Sequence, residues 1–295
     1  MVGGDRAGRG VSLPTFVVTE PFEAGQTVTL GEDAAHHMRV LRIEVGQPVA
    51  LLDGQGGSGV GVLVRLAKRN ASVQVEHAAI VEPPPAVHLI VPIADRDRML
   101  LLAEKATELA ATSWRPVMWK RSRSVSPRGE GPVFQQKAGA RMANALEQSK
   151  GTWLPTVYPD ATLERAIVAA PAGARFVLDG GGVPFTRALA DALADALAAA
   201  TSDALPAVTI AVGPEGGIDE AEGAALREAG FVPVSLGHTV LRFETAAVAG
   251  LAVARTMLAA LAPARAEVAG DGLMHDDSAA GASPASHSNP GAHDG

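Results

Sequence analysis

Strands and helices alternate along most of this chain, and that alternation limits the folds it can adopt. Apolar runs typical of strands begin at residue 87 and read VHLIVPIA, RPVMW, PTVYP, ARFVLD, AVTIAV and FVPVSL. Segments with helical spacing of apolar residues follow these runs in turn, at 96–112, 132–149, 162–170, 184–200, 219–229 and 243–261. This rhythm is typical of a parallel sheet with helices on both faces. The sequence therefore predicts an α/β domain over residues 86–262.

The N-terminal third has a different pattern. Residues 14–81 contain β-branched or alternating runs, separated by the turn sequences DGQGG and KRN, with one helix-like piece, EDAAHHMRVLRI. They predict a small β-barrel with one short helix. The sequence EPPP at 82–85 is stiff and marks the boundary between the two domains. Residues 1–13 and the acidic tail 263–295 have little to bury, so we predict that both are disordered.

Composition narrows the function classes. The 295 residues include no cysteine, which excludes disulfides, thiolate metal ligands and a cysteine nucleophile. The chain opens without an apolar signal region and shows no run of about 18 apolar residues, so we expect a cytoplasmic protein without membrane contact. The net charge of −7 argues against a nucleic-acid partner, but part of it lies in the tail. Residues 109–129 carry cations and no Asp or Glu, which indicates either an RNA-contacting surface or a solvated basic loop.

A glycine-rich loop, Gly213–Gly217, follows the strand AVTIAV. Such loops usually receive phosphate, but Glu215 would repel an anion and the known phosphate-binding glycine motifs are absent. Asp219 and Glu222 predict a capping box, so the next helix needs no ligand at its start. The loop is therefore either an ordinary strand–helix turn with a solvated glutamate or one wall of a site for a flat or cationic ligand.

A second loop, LGHTVLRFET, joins the last strand to an apolar helix. Its Arg242 follows a parallel strand, where open α/β sheets bind ligands; the alternative is that Arg242 is solvated or pairs with Glu244. The helix 243–261 is apolar nearly all round. That composition predicts cover on both sides, from the sheet and from a second subunit.

Two neighbouring histidines and two arginines lie in the first domain. His36 and His37 lack the spacing and partners of a metal site, and we predict no bound metal. Arg39 and Arg42 are three positions apart, which predicts a shared helix face. That face is either a phosphate-contacting patch or a solvated one.

Together, GPEGGIDEAE and LGHTVLRFETAAVAG closely resemble the C-terminal signature of the ribosomal small-subunit RNA methyltransferase E family, in the trefoil-knotted SPOUT superfamily. Three further stretches match in order: DAAHHMRVLRIEVGQPVALLDGQG, DRDRMLLLAEKATELAATSWRP and RMANALEQSKGTWLP. The resemblance covers residues 14–262. It implies a PUA-like RNA-binding barrel, a knotted α/β domain, a homodimer and methylation of N3 of a uridine in 16S rRNA of the 30S subunit, with S-adenosylmethionine (SAM) as donor.

The resemblance also implies a cofactor pocket built mostly from backbone groups. Its residues are Leu178, Asp179, Gly180, Gly213, Pro214, Glu215, Gly216, Gly217, Leu236, Gly237, Val240, Leu241, Arg242 and Thr245. We expect Arg242 to stabilise negative charge on the uracil carbonyls, and Glu215 to accept a proton or to neighbour the sulfonium.

The RNA side is predicted from the cations of the barrel and of the basic region. Its residues are Arg39, Arg42, Arg65, Lys68, Arg69, Lys120, Arg121, Arg123 and Lys150. Lys150 lies near the place where the family usually has an arginine, whose role either passes to Lys150 or is lost.

Two other functions stay open on the sequence. One is a SPOUT ribose 2′-O-methyltransferase acting on rRNA or tRNA, against which the Glu244-Thr245 motif and the barrel favour base methylation. The other is a non-catalytic RNA-binding α/β module, which binding of SAM would exclude.

Overall fold

The computed structural model describes residues 13–122, 126–199 and 205–261. Its strands are β1 (Thr15–Val17), β2 (Thr27–Leu30), β3 (Pro48–Leu52), β4 (Gly57–Leu66), β5 (Ala71–Ile80), β6 (Val87–Pro92), β7 (Ser113–Met118), β8 (Thr156–Val157), β9 (Ala161–Thr162), β10 (Gly173–Pro184), β11 (Ala207–Val212) and β12 (Val232–Ser235). Its helices are α1 (Glu32–Val40), α2 (Arg96–Glu108), α3 (Gly131–Ser149), α4 (Leu163–Val168), α5 (Phe185–Ala199), α6 (Glu220–Glu228) and α7 (Phe243–Leu261). Apart from Leu13, the segments predicted to be disordered lie outside the described residues.

The N-terminal sheet has five strands in the order β1-β3-β4-β5-β2. β1 and β3 are parallel, and the other neighbours are antiparallel. Phe16, Leu63 and Val73 are fully buried on its inner side and pack with Met38 of α1. β2 is a strand that the sequence analysis did not identify, because TVTL alternates over only four residues and is too short to give a clear period.

The C-terminal sheet has the order β12-β10-β11-β6-β7-β8, with β9 beside β7, and all its neighbouring strands are parallel. One face packs Leu89 and Val91 against α2, α3, α5 and α7, and the other packs Ile90 and Val177 against α4 and α6. Strands buried on both faces are apolar at successive positions, which is why VHLIVPIA shows no alternation. The predicted parallel sheet with helices on both faces is confirmed.

The order of the strands brings the last three together. β11 is inserted between β6 and β10, and β12 pairs with the outer side of β10. The carboxyl ends of β6, β11, β10 and β12 consequently lie in a row along one edge. The trefoil knot implied by the family resemblance stays a prediction.

A backbone contact joins the two sheets near the predicted linker. Leu154 N donates to Gly54 O at 2.8 Å, and the indole Nε1 of Trp153 donates to Val81 O at 2.9 Å. An added Cβ at Gly54 or Gly56 would lie 2.6 or 2.5 Å from the side chains of Leu154 and Trp153. The glycines of the DGQGG turn therefore allow the N-terminal domain to press closely against the segment that follows α3.

Helix α7 is the longest apolar segment that the structure describes. By length and composition alone it could cross a membrane, but its Ala247, Leu251 and Ala254 are fully buried in the core beneath β6 and β11. Ala249 and Val253 on its remaining side are half-exposed. The rest of this chain thus buries one side of α7. Burial of the other side by a second subunit stays a prediction.

Candidate active site

Three loops meet at the carboxyl edge of the parallel sheet. Leu178–Gly180 leads into the C-terminal half of β10, Gly213–Gly217 follows β11, and Leu236–Arg242 follows β12. Because β12, β10 and β11 are parallel neighbours, these ends lie side by side. The three segments predicted to form a cofactor pocket are therefore neighbours, at the edge where open α/β sheets bind ligands.

The end of β10 bulges out of the sheet. Its pairing with β12 shifts between Leu178 and Val183, and Oδ1 of Asp179 accepts a hydrogen bond from Gly181 N at 2.9 Å. A Cβ at Gly182 would lie 2.4 Å from the backbone of Pro233, so only glycine allows this approach. The sequence predicts a strand only at ARFVLD, whereas the structure continues the strand through the glycines in a bulge, a feature often found beside active sites.

A cavity of about 560 Å³ opens beside β10 and β12. Its volume is in the range of ordinary small-ligand sites, which is about 300–1,000 Å³. Gly180, Leu236 and Gly237, three of the predicted cofactor residues, line it, as does His238 of the predicted segment Leu236–Arg242. The other lining residues lie outside the predicted segments: Gly182, Pro184, Phe185, Thr186, Ser235 and Val253.

Two of the lining glycines leave room for a ligand. A Cβ at Gly180 or at Gly237 would meet no atom within 4 Å, and Gly237 has a φ of +142°, which side chains rarely adopt. Both therefore present bare backbone at the rim of the cavity. This arrangement suits a ligand held through backbone groups.

The remaining predicted cofactor residues lie around the cavity rather than on its lining. A Cβ at Gly213 would lie 2.6 Å from Ile218, and one at Gly216 would lie 2.5 Å from the carbonyl oxygen of Arg121, so these glycines serve close packing. Pro214 is buried and Leu178 packs on Gly250. Others are exposed or half-exposed: Asp179, Glu215, Gly217, Val240, Leu241, Arg242 and Thr245.

A charged cluster of Arg98, Glu215, Arg242 and Glu244 lies at the same edge. Nη1 of Arg98 donates to Oε1 of Glu215, and Nη1 of Arg242 is 3.5 Å from that same oxygen. Nε of Arg98 is 3.9 Å from Oε1 of Glu244, a carboxylate that is 8% exposed. Two cations thus offset two anions. Arg242 pairs with Glu215, not with Glu244.

Arg98 is the member of this cluster that the sequence analysis missed. It lies in the first turn of α2, whose N-cap Asp95 accepts hydrogen bonds from the backbone N–H groups of Asp97 and Arg98, each at 3.1 Å. α2 follows the central strand β6, so its first turn faces the same sheet edge as the glycine loop. An arginine three residues after a helix N-cap, directly behind a buried strand, was the signal that could have identified it.

The basic segment after β7 packs against the glycine loop. Nζ of Lys120 is 3.0 Å from Oδ1 of Asp219, and Nη2 of Arg121 is 3.8 Å from Oδ2 of the same carboxylate. The hydrogen bond from Lys120 lowers the pKa of Asp219. Asp219 also caps α6 in a capping box with Glu222, as predicted. Lys120 and Arg121, predicted to contact RNA, are therefore also anchored beside Gly213–Gly217.

The predicted cations of the N-terminal domain are exposed at one end of its sheet. Arg39 Nη1 donates to Ala67 O at 3.4 Å, which brings the end of α1 beside the turn that carries Lys68 and Arg69. The prediction that Arg39 and Arg42 share a helix face was wrong, because α1 ends at Val40 and Arg42 adopts a left-handed φ of 58°. Arg65 is exposed on β4. Lys150 is exposed at the C-cap of α3, and Arg123 lies outside the described residues.

The adjacent histidines of α1 have different surroundings. The ring of His37 lies edge-on to Phe16, with centroids 5.7 Å apart, and His36 is exposed. Within residues 13–122, 126–199 and 205–261, no group of three or more His, Asp or Glu side chains could hold a metal ion.

Family models match both parts of the chain. An RNA methyltransferase domain matches residues 81–255, and an RNA methyltransferase PUA domain matches residues 30–76. The two matches meet close to the predicted linker at 82–85.

Ribosomal RNA methyltransferases from bacteria match most of this chain. The ribosomal RNA small subunit methyltransferase E of Synechocystis sp. is 30% identical over 236 residues, which are 79% of this chain and 74% of that protein. The protein of the same name from Mycobacterium bovis is 29% identical over 82% of this chain and 90% of its own length. The crystal structure of the Neisseria gonorrhoeae ribosomal RNA small subunit methyltransferase E bound to S-adenosyl methionine superposes with a TM-score of 0.70. It is 28% identical and is matched over 83% of this chain and 98% of its own.

Proposed function

This chain belongs to the ribosomal RNA small subunit methyltransferase E family, and on that premise we propose that it methylates N3 of a uridine in 16S rRNA of the 30S subunit. Membership makes it a SAM-dependent methyltransferase of small-subunit ribosomal RNA. The choice of N3 is our proposal. One observation carries it: the cavity and the charged cluster lie at the same sheet edge, so that a cofactor and an imide with its ionisable N–H would be held side by side.

The residues around the cavity fit SAM. The bare backbone at Gly180 and Gly237 would hold the adenosine part, since a side chain at either position would project into open space. Glu215 and the buried Glu244 place carboxylates at the same sheet edge, each paired with an arginine, and a carboxylate oxygen there could neighbour the sulfonium. We propose that the three loops together form the cofactor pocket.

When bound, SAM would supply its methyl group to N3. The methyl–sulfur bond would break and leave its electron pair on sulfur, while the N3–carbon bond forms and the N3 proton is lost. Arg242, whose side chain is 62% exposed, would donate to a uracil carbonyl and stabilise the negative charge that develops there. Glu215 would accept the N3 proton. The loops would supply the remaining rate by holding the base in line with the methyl group.

The exposed cations of both domains would hold the RNA. Arg39, Arg65 and Lys68 lie on the N-terminal domain, and Lys120 and Arg121 lie beside the charged cluster. N3 of a uracil base is accessible only when the base is unpaired or flipped out of its helix. We propose that these cations bind phosphates on either side of an extruded uridine.

We further propose that the enzyme is a homodimer that acts in the cytoplasm without a metal ion. The half-exposed side of α7, with Ala249 and Val253, and the fully exposed Val240 in the preceding loop give an apolar surface that a second copy would cover. Sedimentation equilibrium would test this; a monomer at micromolar concentration would contradict the dimer.

Methylation of 30S subunits from a strain that lacks this protein tests the proposed function. The purified enzyme and SAM should convert one uridine to N3-methyluridine, identified by mass spectrometry of the digested rRNA. A ribose-methylated nucleoside would instead support a 2′-O-methyltransferase. Absence of SAM binding in calorimetry would support a non-catalytic module.

A further inference from the structure

We propose that Arg98, Glu215 and Arg242 read the Watson–Crick edge of the target base and thereby select uracil over cytosine. The proposal rests on the proposed function and adds to it a residue, Arg98, and a basis for base specificity. It starts from the way in which two guanidinium groups share one carboxylate oxygen.

Both arginines converge on Oε1 of Glu215 from different parts of the chain. Arg98 comes from the first turn of α2, Glu215 from the loop after β11, and Arg242 from the loop before α7. Their side chains are 34%, 30% and 62% exposed, respectively, so one side of the group is open to a ligand. The carboxylate therefore lies between two cationic forks at an accessible place.

The hydrogen-bonding order of this group is donor, acceptor, donor. Arginine only donates, and an ionised carboxylate only accepts. The imide edge of uracil has the complementary order: one carbonyl oxygen, then N3–H, then the second carbonyl oxygen. When the base enters, before methyl transfer, each guanidinium would turn from Glu215 to a carbonyl, and Glu215 would accept from N3–H; the carboxylate would then move off the N–H axis, along which the methyl group approaches.

Cytosine does not match this order. Its amino group would be directed at one guanidinium, and its N3 lone pair would face the carboxylate. A site that is built to pair polar groups strongly rejects a ligand that leaves them unpaired, since the lost hydrogen bonds are not replaced by water. The group of Arg98, Glu215 and Arg242 would therefore discriminate uracil from cytosine at N3, the atom that is methylated.

Glu244 is the residue that fixes Arg98. It is buried at the start of α7, with Oε1 3.9 Å from Nε of Arg98, while its Oε2 is buried and receives no hydrogen bond in the described part of the chain. A buried carboxylate requires a nearby cation, so Glu244 holds the guanidinium of Arg98 close to it. Glu244 is thus a positioning residue, and Arg98 is the residue that touches the base.

Arg255 shows what an arginine with a purely structural role looks like in this protein. Its guanidinium donates to three backbone carbonyls, those of Pro85, Leu109 and Ala110, and burial lowers its pKa to about 10. Arg98 instead contacts side-chain carboxylates at the mouth of the site. The difference supports a role in ligand binding rather than in holding backbone segments together.

The test compares Arg98→Lys and Arg98→Ala with Arg141→Ala. Arg141 is an exposed arginine of α3, 3.3 Å from Glu104 and outside the site, and serves as the matched control. Turnover is measured on 30S subunits that lack the modification, SAM affinity by calorimetry and folding by thermal unfolding. We expect Arg98→Lys to fold and to bind SAM as the wild type does, with kcat lowered about 100-fold, because lysine lacks the planar fork. The control should keep its activity.

A second arm uses reconstituted subunits with cytidine at the modified position. The wild type should prefer uridine by about 1,000-fold or more, and the Arg98 variants should narrow that ratio. Turnover within about twofold of the wild type in both Arg98 variants, or an unchanged ratio, would overturn the inference. If the wild type itself forms no N3-methyluridine, the proposed function fails; if it does and the variants match it, only the role of Arg98 fails.

Discussion

Glu215 and Arg98, 117 positions apart in the sequence, are in direct contact at the carboxyl edge of the parallel sheet. The contact joins the glycine loop after β11 to the first turn of α2. It explains why a glutamate stands in a loop that in many folds receives phosphate. The carboxylate of Glu215 is the shared partner of two arginines, so the glutamate has a place in the site that does not involve phosphate.

Arg242→Ala should abolish most turnover and leave the cofactor site intact. Loss of one preorganised donor to a developing oxyanion typically lowers kcat by about 100- to 1,000-fold. SAM affinity should change little, because Arg242 does not line the cavity. Single-turnover methylation with calorimetry measures both quantities. Full turnover in a variant that binds SAM would remove Arg242 from the chemistry.

Glu215→Gln should change the pH dependence of the reaction. If Glu215 accepts the N3 proton, the variant should be slow near neutral pH and recover at alkaline pH, where the imide loses its proton to solvent. The pH profile of kcat on unmodified 30S subunits gives the answer. Parallel profiles for the wild type and the variant would assign Glu215 an electrostatic role only.

Gly237→Ala should weaken SAM binding, whereas Gly230→Ala should not. Both glycines have positive φ, +142° and +80°, and neither would place a Cβ within 4 Å of another atom. Both variants should therefore lose about 1–3 kcal/mol of stability to backbone strain. Only the one at the cavity should raise the dissociation constant of SAM. Equal SAM affinity in the two variants would place the adenosine elsewhere.

Helical and strand periodicity was sufficient to predict most of the α/β domain. α3 and α7 begin within one residue of their predicted starts, because their apolar spacing depends only on local sequence. The boundaries of α2 and α4 shifted by a few residues at their C-terminal ends, where no glycine stop is present. The two loops with specific motifs, after β11 and β12, were found from those motifs alone; in the sheet, β10 lies between the two strands.

The charged cluster could not be predicted in the same way. The pairing of Arg98 with Glu215 depends on the insertion of β11 beside β6, which no local pattern contains. The tie between Lys120 and Asp219 depends on the same insertion. Arg42 was misplaced because the turn after α1 is left-handed at a residue that is neither glycine nor asparagine.

Glu147→Gln should stabilise the protein at neutral pH. Glu147 of α3 accepts a hydrogen bond from Val17 N at 3.0 Å, and burial raises the pKa of its carboxyl above the ordinary 4.5. A raised pKa means that its contribution to stability is present below pH 4.5 and is lost as the pH rises through the folded-state pKa. Glutamine keeps the acceptor and avoids the buried charge. Thermal unfolding from pH 4 to about 8 should show the variant's advantage growing with pH, with the exposed Glu20→Gln as the control for net charge; a shrinking advantage would contradict this account.

Removal of two barrel cations should reduce the salt dependence of RNA binding. Each phosphate that a cation neutralises contributes about −0.7 to the slope of log K against log salt for a single strand. Arg65→Gln combined with Lys68→Gln should therefore make the slope shallower by about 1.4 if both residues contact phosphate. The exposed Arg227→Gln on α6, away from the predicted RNA surface, is the matched control. Fluorescence titrations of an rRNA fragment at several salt concentrations measure the slopes. Equal slopes for the double variant and the control would show that the RNA does not contact this end of the N-terminal sheet.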